Sequence, residues 1–294
     1  MLGMAGRDMR RAMPLLEGKL ALITGGARGI GLAVAQAMGK SGARLILVDS
    51  GCERDGSNPD PSVVEQSAKG LRELGLSVEA HAFDVADEER VQALFRDLET
   101  SGQVPDILVN AAGIIRDRSL LNLSATDFDA VLRTHVRGTF LFIQAFASLL
   151  RTQKRGGSIL NMTSVAGLLG NVQQANESAA KAAIYGLTRT ASIELQKYGI
   201  TVNALAAIAR TRLTEDLPMF EKLSGTMEPE HVAPAALYLT SHLSDGLSGT
   251  VLSVAGGRIA RIGLVESTGR TKHEDGGLWT PEEIRDHFEG ISKI

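Results

Sequence analysis

Short aliphatic runs alternate with helical patterns along most of this 294-residue chain, and no other feature limits its fold as much. The runs predict strands at residues 20–24, 44–49, 77–83, 106–110, 158–163, 201–206 and 250–254. Helical patterns lie between and after them, at about residues 30–41, 62–74, 88–101, 125–150, 176–198 and 230–243. Such alternation forms a parallel sheet covered on both faces, with ligands at the carboxyl ends of the strands. We therefore expect an α/β fold, a single doubly wound parallel sheet over residues 16–257.

Three segments do not follow the alternation. Residues 1–15 form an N-terminal extension, and residues 51–61 form a surface loop rich in Gly, Asp, Asn and Pro. Residues 258–294 form a C-terminal appendage that holds a tail helix. A capping box with proline at the first helical position, Thr280-Pro281-Glu282-Glu283, predicts where that helix begins.

Charge and cysteine content exclude several classes of function. The chain has 31 Lys and Arg against 34 Asp and Glu, which gives no general attraction to nucleic acid. Cys52 is the single cysteine, so no intrachain disulfide and no Cys/His metal cluster are expected. The longest apolar stretch, residues 140–150, contains Gln144 and is too short to span a bilayer. We expect a soluble, cytoplasmic protein without a metal site, nucleic-acid partner or membrane partner.

A glycine-rich segment follows the first predicted strand and leads into the first helix. It reads Thr24-Gly25-Gly26-Ala27-Arg28-Gly29-Ile30-Gly31. Glycines let the backbone approach a phosphate, and the N–H groups and dipole of the helix N-terminus stabilise the anion. A tight turn without a ligand is the alternative, but the position between strand and helix favours a nucleotide.

Asp49 ends the second predicted strand, where an acidic side chain accepts the hydroxyls of an adenosine ribose and repels a 2′-phosphate. This favours NAD over NADP as the cofactor. The alternative is an ordinary aspartate that caps a turn, and Arg44 and Arg54 lie near it in the sequence.

Together these motifs resemble the short-chain dehydrogenase/reductase family over residues 16–257, which implies a Rossmann-type fold and a nicotinamide cofactor. The glycine segment is similar to that family's TGxxxGxG loop, Asp84-Val85 to its adenine contact, and Asn110-Ala111-Ala112-Gly113 to its NAG motif. Ser164 and Lys181 stand at the positions of its catalytic serine and lysine. The resemblance implies cofactor contacts at Gly25, Arg28, Gly29, Ile30, Gly31, Asp49, Asp84, Val85, Asn110, Ala111, Gly113, Lys181 and Thr211.

Within that family the chain is most similar to the (3R)-hydroxyacyl-CoA dehydrogenase domains of multifunctional enzymes. Residues 114–119, 135–140, 170–171 and 174–176 carry this similarity, together with the tail at residues 278–282. His135 occupies a position that is asparagine in most of the family, and the resemblance implies a catalytic role for it. A helix histidine without a catalytic role is the alternative.

Two departures from the family pattern affect the reactive end of the site. Glu177 stands where the family's YxxxK motif has its catalytic tyrosine, and Ala207-Ile208 stands where it usually has Pro-Gly beside the nicotinamide. Two changes in one pocket favour a natural divergent member over a single engineered substitution. We expect that this pocket has acquired a function different from that of the family, and that the dinucleotide is retained, weakly bound or absent.

Glu177 and Lys181 are four residues apart on one helix face, a spacing that suits an ion pair. A carboxylate beside an ammonium is ionised at neutral pH, so it accepts a proton but does not donate one. Three interpretations remain open: a dehydrogenase with Glu177 or a water as base, a non-redox enzyme with Glu177 as acid/base, and a non-catalytic binding subunit. Tyr185, one turn beyond Lys181, is a weak candidate to replace the missing tyrosine.

The substrate side carries fewer signals. Apolar residues after the predicted strands suggest a pocket for an acyl or polyketide-like chain, or else ordinary helix packing: Leu168, Leu169, Leu213, Leu217, Met219, Phe220 and Leu223. Arg116 and Arg118 suit a phosphate of coenzyme A or of a carrier, although solvated arginines are common. The resemblance also implies a homodimer or homotetramer that uses the helices at residues 125–150 and 176–198.

Overall fold

The computed structural model describes residues 14–215, 227–272 and 277–294. The strands are β1 (Leu20–Thr24), β2 (Arg44–Asp49), β3 (Val78–Ala82), β4 (Ile107–Asn110), β5 (Gly157–Thr163), β6 (Ile200–Ile208), β7 (Val251–Ala255) and β8 (Arg258–Ile262). Within the described residues they form one sheet in the order β3-β2-β1-β4-β5-β6-β7-β8. The ladders from β3 through β7 are parallel. The predicted doubly wound parallel sheet is confirmed.

Helices connect the strands. They are α1 (Gly29–Lys40), α2 (Pro61–Glu73), α3 (Glu88–Thr100), α4 (Ala125–Leu132), α5 (Gly138–Thr152), α6 (Ala166–Leu169), α7 (Ala175–Glu194), α8 (Ala233–Thr240) and α9 (Pro281–Ile291). Chain order reverses across the sheet between β1 and β4, so their carboxyl ends open a crevice.

Both faces of the sheet are buried, as the continuous aliphatic runs predict. In β1, Ala21 and Ile23 belong to one apolar cluster with Val34 of α1. Leu20 and Leu22 belong to the cluster on the other face, with Phe142 of α5 and Phe83. Successive side chains of a strand point to opposite faces, so each face packs against its own layer of helices.

The predicted helix at residues 125–150 is interrupted. A single π-helical turn, Arg133–Arg137, separates α4 from α5. Such turns insert one extra residue per turn and often occur at functional sites. The turn directs His135 inward, and that ring is 4% exposed.

Two differences from the predicted strands are larger than a one-residue shift of a boundary. β6 continues two residues past the predicted end, with Ala207 paired to Val254 and Ile208 to Ala255. Alanine and isoleucine allow this pairing, whereas proline lacks the N–H that a ladder needs. β8 was not predicted, because it follows β7 after a turn of only two residues, Gly256-Gly257.

The chain divides into two compact units, residues 1–261 and 262–294. In the second unit the predicted capping box is present: Glu283 N donates to Thr280 Oγ1 at 3.2 Å, and Thr280 N donates to the Glu283 carboxylate at 2.8 Å. Trp279 packs edge-on against His287. In the described parts of both units, every helix is too short or too polar to cross a bilayer.

Candidate functional site

The turn between β1 and α1 is built from glycines that tolerate no side chain. A Cβ on Gly25 would lie 2.6 Å from the backbone nitrogen of Ala112, and one on Gly31 would lie 2.1 Å from the Gly25 carbonyl oxygen. Gly25 and Gly29 also have φ values of +63° and +54°, which glycine adopts without strain. The turn therefore brings its backbone against the loop that follows β4.

A cavity of about 440 Å³ lies beside this turn, at the carboxyl ends of β1, β2 and β4. Its walls include most of the predicted cofactor contacts: Gly25, Arg28, Gly29, Ile30, Gly31, Asp49, Asp84, Val85, Ala111, Gly113 and Thr211. The first turn of α1 contains no acidic residue, so its free N–H groups face the cavity without a competing carboxylate. The site fits an anionic nucleotide.

The two aspartates of the cavity are held by hydrogen bonds. Asp49 accepts from the backbone N–H of Ala27 at 3.1 Å and of Gly51 at 2.8 Å. Asp84 accepts from Ala86 N at 2.9 Å and forms an ion pair with Arg133 at 2.6 Å. Both carboxylates are fixed in place and keep further lone pairs for a ligand.

His135, a predicted catalytic residue, lies against the loop that follows β4. Its Nε2 lies 3.1 Å from the backbone nitrogen of Ile114 and 2.9 Å from the Ile114 carbonyl oxygen. Nδ1 is buried and has no hydrogen-bond partner among the described residues. A Cβ on Gly113 would lie 2.7 Å from the His135 ring, so glycine is needed there.

Glu177 lies in the first turn of α7, where Asn176 positions it. Asn176 is fully buried, donates to the Arg116 carbonyl at 2.8 Å and accepts from Glu177 N at 2.9 Å. The Glu177 carboxylate is 14% exposed, with Oε1 3.9 Å from Lys181 Nζ and Oε2 3.6 Å from His135 Nε2. Oε2 accepts no hydrogen bond from the described residues.

Burial shifts the pKa values of the other two members of this group. It lowers the pKa of Lys181, and the Glu177 carboxylate opposes that change. Burial lowers the pKa of His135 and the Lys181 ammonium lowers it further, while Glu177 and the Ile114 backbone raise it. His135 is therefore neutral at pH 7. We call His135, Glu177 and Lys181 the buried triad.

Ser164 follows β5 and accepts a hydrogen bond from Ala166 N at 3.2 Å, which leaves its hydroxyl hydrogen to donate. Lys181 Nζ donates to the Met162 carbonyl at 3.1 Å. Asn110 is buried in the sheet and donates to Asn161 Oδ1 at 2.9 Å. Neither Asn110 nor the buried triad lines the described part of the cavity.

Comparison with known proteins decides the family. Residues 25–258 match the family model described as enoyl-(acyl carrier protein) reductase. A mouse (Mus musculus) protein, peroxisomal multifunctional enzyme type 2, is 36% identical over 95% of this chain. The chain belongs to the short-chain dehydrogenase/reductase family. The match covers 37% of the mouse protein's length.

Two further relatives of this short-chain dehydrogenase/reductase cover nearly its whole length. Hydroxyacyl-CoA dehydrogenase ChsB1 of Mycobacterium tuberculosis is 34% identical over 94% of this chain and 90% of that protein. A short chain dehydrogenase from Mycobacterium avium, known from its crystal structure, is 32% identical in sequence to this chain. The two structures have a TM-score of 0.81 over 94% of this chain and 95% of that one. The resemblance to dehydrogenases of multifunctional enzymes is confirmed.

Sequence reasoning missed several residues of the cavity, among them Cys52, Arg133, Thr134 and Arg212. Arg212 directly follows Thr211, which is a predicted cofactor contact, so the sequence pattern could have identified it. Arg44 begins β2, at the opposite end of the strand from Asp49, and does not line the described cavity. In the described part of the chain, no His, Cys, Asp and Glu cluster is placed to hold a metal ion.

The predicted acyl pocket is only partly described. Leu213 lines the cavity, and Leu169 is 81% exposed. Leu217, Met219, Phe220 and Leu223 lie outside the described residues.

Proposed function

We propose that this short-chain dehydrogenase/reductase binds NAD(H) in the cavity between β1 and β4 and oxidises the hydroxyl group of a hydroxyacyl thioester. One observation carries the proposal: the glycine turn leaves no room for a Cβ at Gly25 or Gly31 while it walls a cavity. This arrangement suits a pyrophosphate at the N-terminus of α1. When bound, the nicotinamide of NAD⁺ accepts a hydride from a carbinol carbon.

Asp49 supports NAD as the dinucleotide. Its carboxylate ends β2 at the cavity wall and retains lone pairs beyond those used by Ala27 N and Gly51 N. Those lone pairs are available to the hydroxyls of an adenosine ribose.

The buried triad supports oxidation rather than reduction. Lys181 Nζ lies 3.9 Å from the Glu177 carboxylate, and a neutral His135 does not add a second cation beside it. An ionised carboxylate takes the hydroxyl proton of an alcohol as its carbinol hydrogen leaves as hydride. Oε2 is buried and accepts no hydrogen bond from a described donor, so it is the oxygen that we propose takes that proton. Ser164 donates its hydroxyl hydrogen to the substrate oxygen.

The substrate class is proposed from the relatives. Two of them are named as a peroxisomal multifunctional enzyme and a hydroxyacyl-CoA dehydrogenase. Arg116 lines the cavity, pairs through Nη1 with Asp127 at 3.1 Å and donates from Nε to the Asp55 carbonyl at 2.7 Å. We propose that its remaining N–H groups donate to the thioester carrier. A hydroxyacyl group on coenzyme A or on a carrier protein is the substrate that we propose.

A non-redox reaction is the second candidate, and β6 is the observation that favours it. Ala207 and Ile208 continue the strand by pairing with β7, at the position where the family pattern that the sequence resembles usually has Pro-Gly. With Glu177 as base, the same site suits dehydration, isomerisation or cyclisation.

One experiment tests both candidates. NAD⁺ and NADH are titrated calorimetrically, and a hydroxyacyl-CoA is assayed with the wild type, Glu177→Gln, Glu177→Tyr and the exposed control Glu73→Gln. We expect NAD-dependent turnover in the wild type and the control, with a loss of about 10²–10⁴ in kcat for Glu177→Gln because the base is removed. Hydride transfer seen only in Glu177→Tyr contradicts the redox proposal. Turnover without any change in NAD supports the second candidate, and binding without turnover in any variant supports a binding subunit.

We also propose a cytoplasmic homo-oligomer assembled through α5 and α7. These helices border a groove of about 250 Å³ that includes Leu187 and Tyr198. Phe140 and Ile193 present apolar side chains on the same helices, 45% and 70% exposed. Ile193→Glu would reduce the mass measured by light scattering to that of a monomer, and an unchanged mass contradicts this interface.

A further inference from the structure

Asn176 is a fully buried residue in the first turn of α7, and both polar ends of its amide are bonded to backbone groups. Nδ2 donates to the Arg116 carbonyl at 2.8 Å, and Oδ1 accepts from Glu177 N at 2.9 Å. A backbone carbonyl only accepts and a backbone N–H only donates, so these two partners fix the orientation of the amide. Leucine, which is close to asparagine in size, makes neither bond.

The bond from Glu177 N takes the place of a helix cap. The first N–H groups of a helix have no acceptor within the helix. Gln174, the N-cap of α7, makes no side-chain cap bond, whereas the N-cap residues of α2, α3 and α4 do. Asn176 supplies from inside the first turn the acceptor that a cap side chain usually provides. The backbone of Glu177 is thereby tied to the Asn176 side chain.

The other partner of Asn176 belongs to the loop that also holds His135. Ile114, two residues before Arg116, lies against His135 Nε2 with its backbone nitrogen at 3.1 Å and its carbonyl oxygen at 2.9 Å. One short loop therefore holds both sides of the 3.6 Å contact between His135 Nε2 and Glu177 Oε2. Ile114 holds the ring, and Arg116 holds, through Asn176, the backbone that carries the carboxylate.

The start of α7 is bonded to the same loop at a second point. Gln174 Nε2 donates to the Asp117 carboxylate at 2.7 Å. This bond holds the two segments together but involves no atom of Glu177. Asn176 differs from Gln174 because its other end is bonded to Glu177 itself.

We infer that Asn176 is a positioning residue for Glu177, which sets the place of the carboxylate relative to His135 and to the substrate. The inference rests on the proposed function, in which Glu177 takes the hydroxyl proton, and adds the residue through which that base is held. Proton transfer needs the donor and the acceptor within hydrogen-bond distance. Loss of Asn176 should therefore lower kcat while KM and NADH affinity stay nearly unchanged.

The chain offers a matched control in Asn203 of β6. That residue is also fully buried, donates to the Leu247 carbonyl at 2.9 Å and accepts from Thr250 N at 3.0 Å. It lies five residues before the carboxyl end of β6 and does not line the described cavity. The same substitution at either asparagine breaks the same two kinds of hydrogen bond, but only the bonds of Asn176 lead to Glu177.

The test uses the full chain, NAD⁺ and a hydroxyacyl-CoA. The variants are Asn176→Ser and Asn176→Leu, the controls are Asn203→Ser and Asn203→Leu, and the milder serine variants serve where leucine prevents folding. We expect Asn176→Ser to lower kcat about tenfold or more and Asn203→Ser to leave it within about twofold. KM and the NADH affinity measured by calorimetry should stay within about twofold in both, and thermal melting compares their stability.

A double variant shows whether Asn176 acts through Glu177. In a chain that already carries Glu177→Gln, Asn176→Ser should lower kcat no further, because the base that it positions is gone. Losses of kcat that multiply in the double variant overturn the inference. Equal losses in Asn176→Ser and Asn203→Ser also overturn it, because reduced stability then explains both.

A second measurement needs no turnover. The ring nitrogen resonances of His135 are recorded by NMR and assigned by their loss in His135→Gln. Asn176→Ser should shift them, since Glu177 Oε2 moves relative to Nε2, and Asn203→Ser should not. Resonances that stay in place in Asn176→Ser overturn the inference. A wild type that binds NADH without turnover overturns the proposed function instead, and the His135 resonances then decide the inference alone.

Discussion

The two ends of the site are built in different ways. At the nucleotide end, the glycine turn and the loop after β4 meet through backbone atoms, and Gly25 lies against Ala111 and Ala112. At the reactive end, side chains from the π-helical turn and α7 meet around Glu177. The first end leaves Arg28 Nε and Asn110 Oδ1 buried without described partners, and the second leaves His135 Nδ1 and Glu177 Oε2 in the same state.

This difference shows which end tolerates change. A backbone cradle depends on the absence of side chains, so one added methyl group disrupts it. A side-chain cluster accepts a new residue when charge and hydrogen bonding are balanced again. Glu177 is such a residue, because Lys181 compensates its charge within the same helix.

The largest effect is expected at the nucleotide end. Gly31→Ala places a Cβ 2.1 Å from the Gly25 carbonyl oxygen, so the turn must move. We expect a loss of about 3 kcal/mol or more in the free energy of unfolding, together with loss of NADH binding. Gly186→Ala is the matched control, since its Cβ meets nothing within 4 Å on α7 and should stabilise the helix by up to about 1 kcal/mol. Chemical denaturation and calorimetry measure both, and equal behaviour of the two variants would contradict the steric argument.

At the reactive end, Lys181→Met should cost about 1–3 kcal/mol of stability, because it leaves the Glu177 carboxylate buried without its cation. Glu177→Gln in the same chain removes that carboxylate, so the double variant should lose less than the sum of the single losses. A double-mutant cycle by urea denaturation measures the coupling. Additive losses would show that the pair at 3.9 Å does not act as a unit.

His135 should make stability depend on pH. Its folded-state pKa lies below the unfolded value of 6.5, so the unfolded chain binds more protons and stability falls as pH drops below that value. The slope from this group is at most about 1.4 kcal/mol per pH unit. His135→Gln should remove that part of the slope between about pH 7 and pH 5. Parallel profiles for the wild type and the variant would contradict a neutral, buried His135.

The smallest effect is expected in the second unit. Thr280→Ala removes the cap of α9 and should cost that helix about 1 kcal/mol. Hydrogen exchange of residues 281–291 should accelerate while NADH binding stays unchanged. The fluorescence of Trp279, the single tryptophan, reports locally because its ring contacts His287. A change in nucleotide affinity would show that residues outside the two ends of the site also affect nucleotide binding.

The sequence predicted the strand and the helix on either side of the glycine turn, because their signals are local. Thr24 to Gly31 join one strand to one helix, and the strand β1 was predicted with its observed limits. Glu177 and Lys181 were also predicted to pair, since helix geometry brings residues four apart together. No such local rule predicts that these two residues lie near His135, because the π-helical turn that directs His135 inward has no clear sequence signal.

Arg212 is another residue whose surroundings the sequence did not predict. It follows a predicted contact, yet its proximity to Arg28 arises from packing of the Thr211 side chain against the glycine turn. The extension of β6 through Ile208 was likewise decided by pairing with β7, a strand more than 40 residues further along the chain.

The amino-acid sequence by itself determined the alternation of strands and helices, the family and the glycine turn, because each depends on residues that are close along the chain. The tertiary structure decided the rest: that Asp49 is bound by backbone N–H groups, that Arg28 and Arg212 share a cavity wall, and that His135 faces Glu177. The burial of these residues and the electrostatic potential around them depend on elements that are distant along the chain. Only the folded chain brings those elements together.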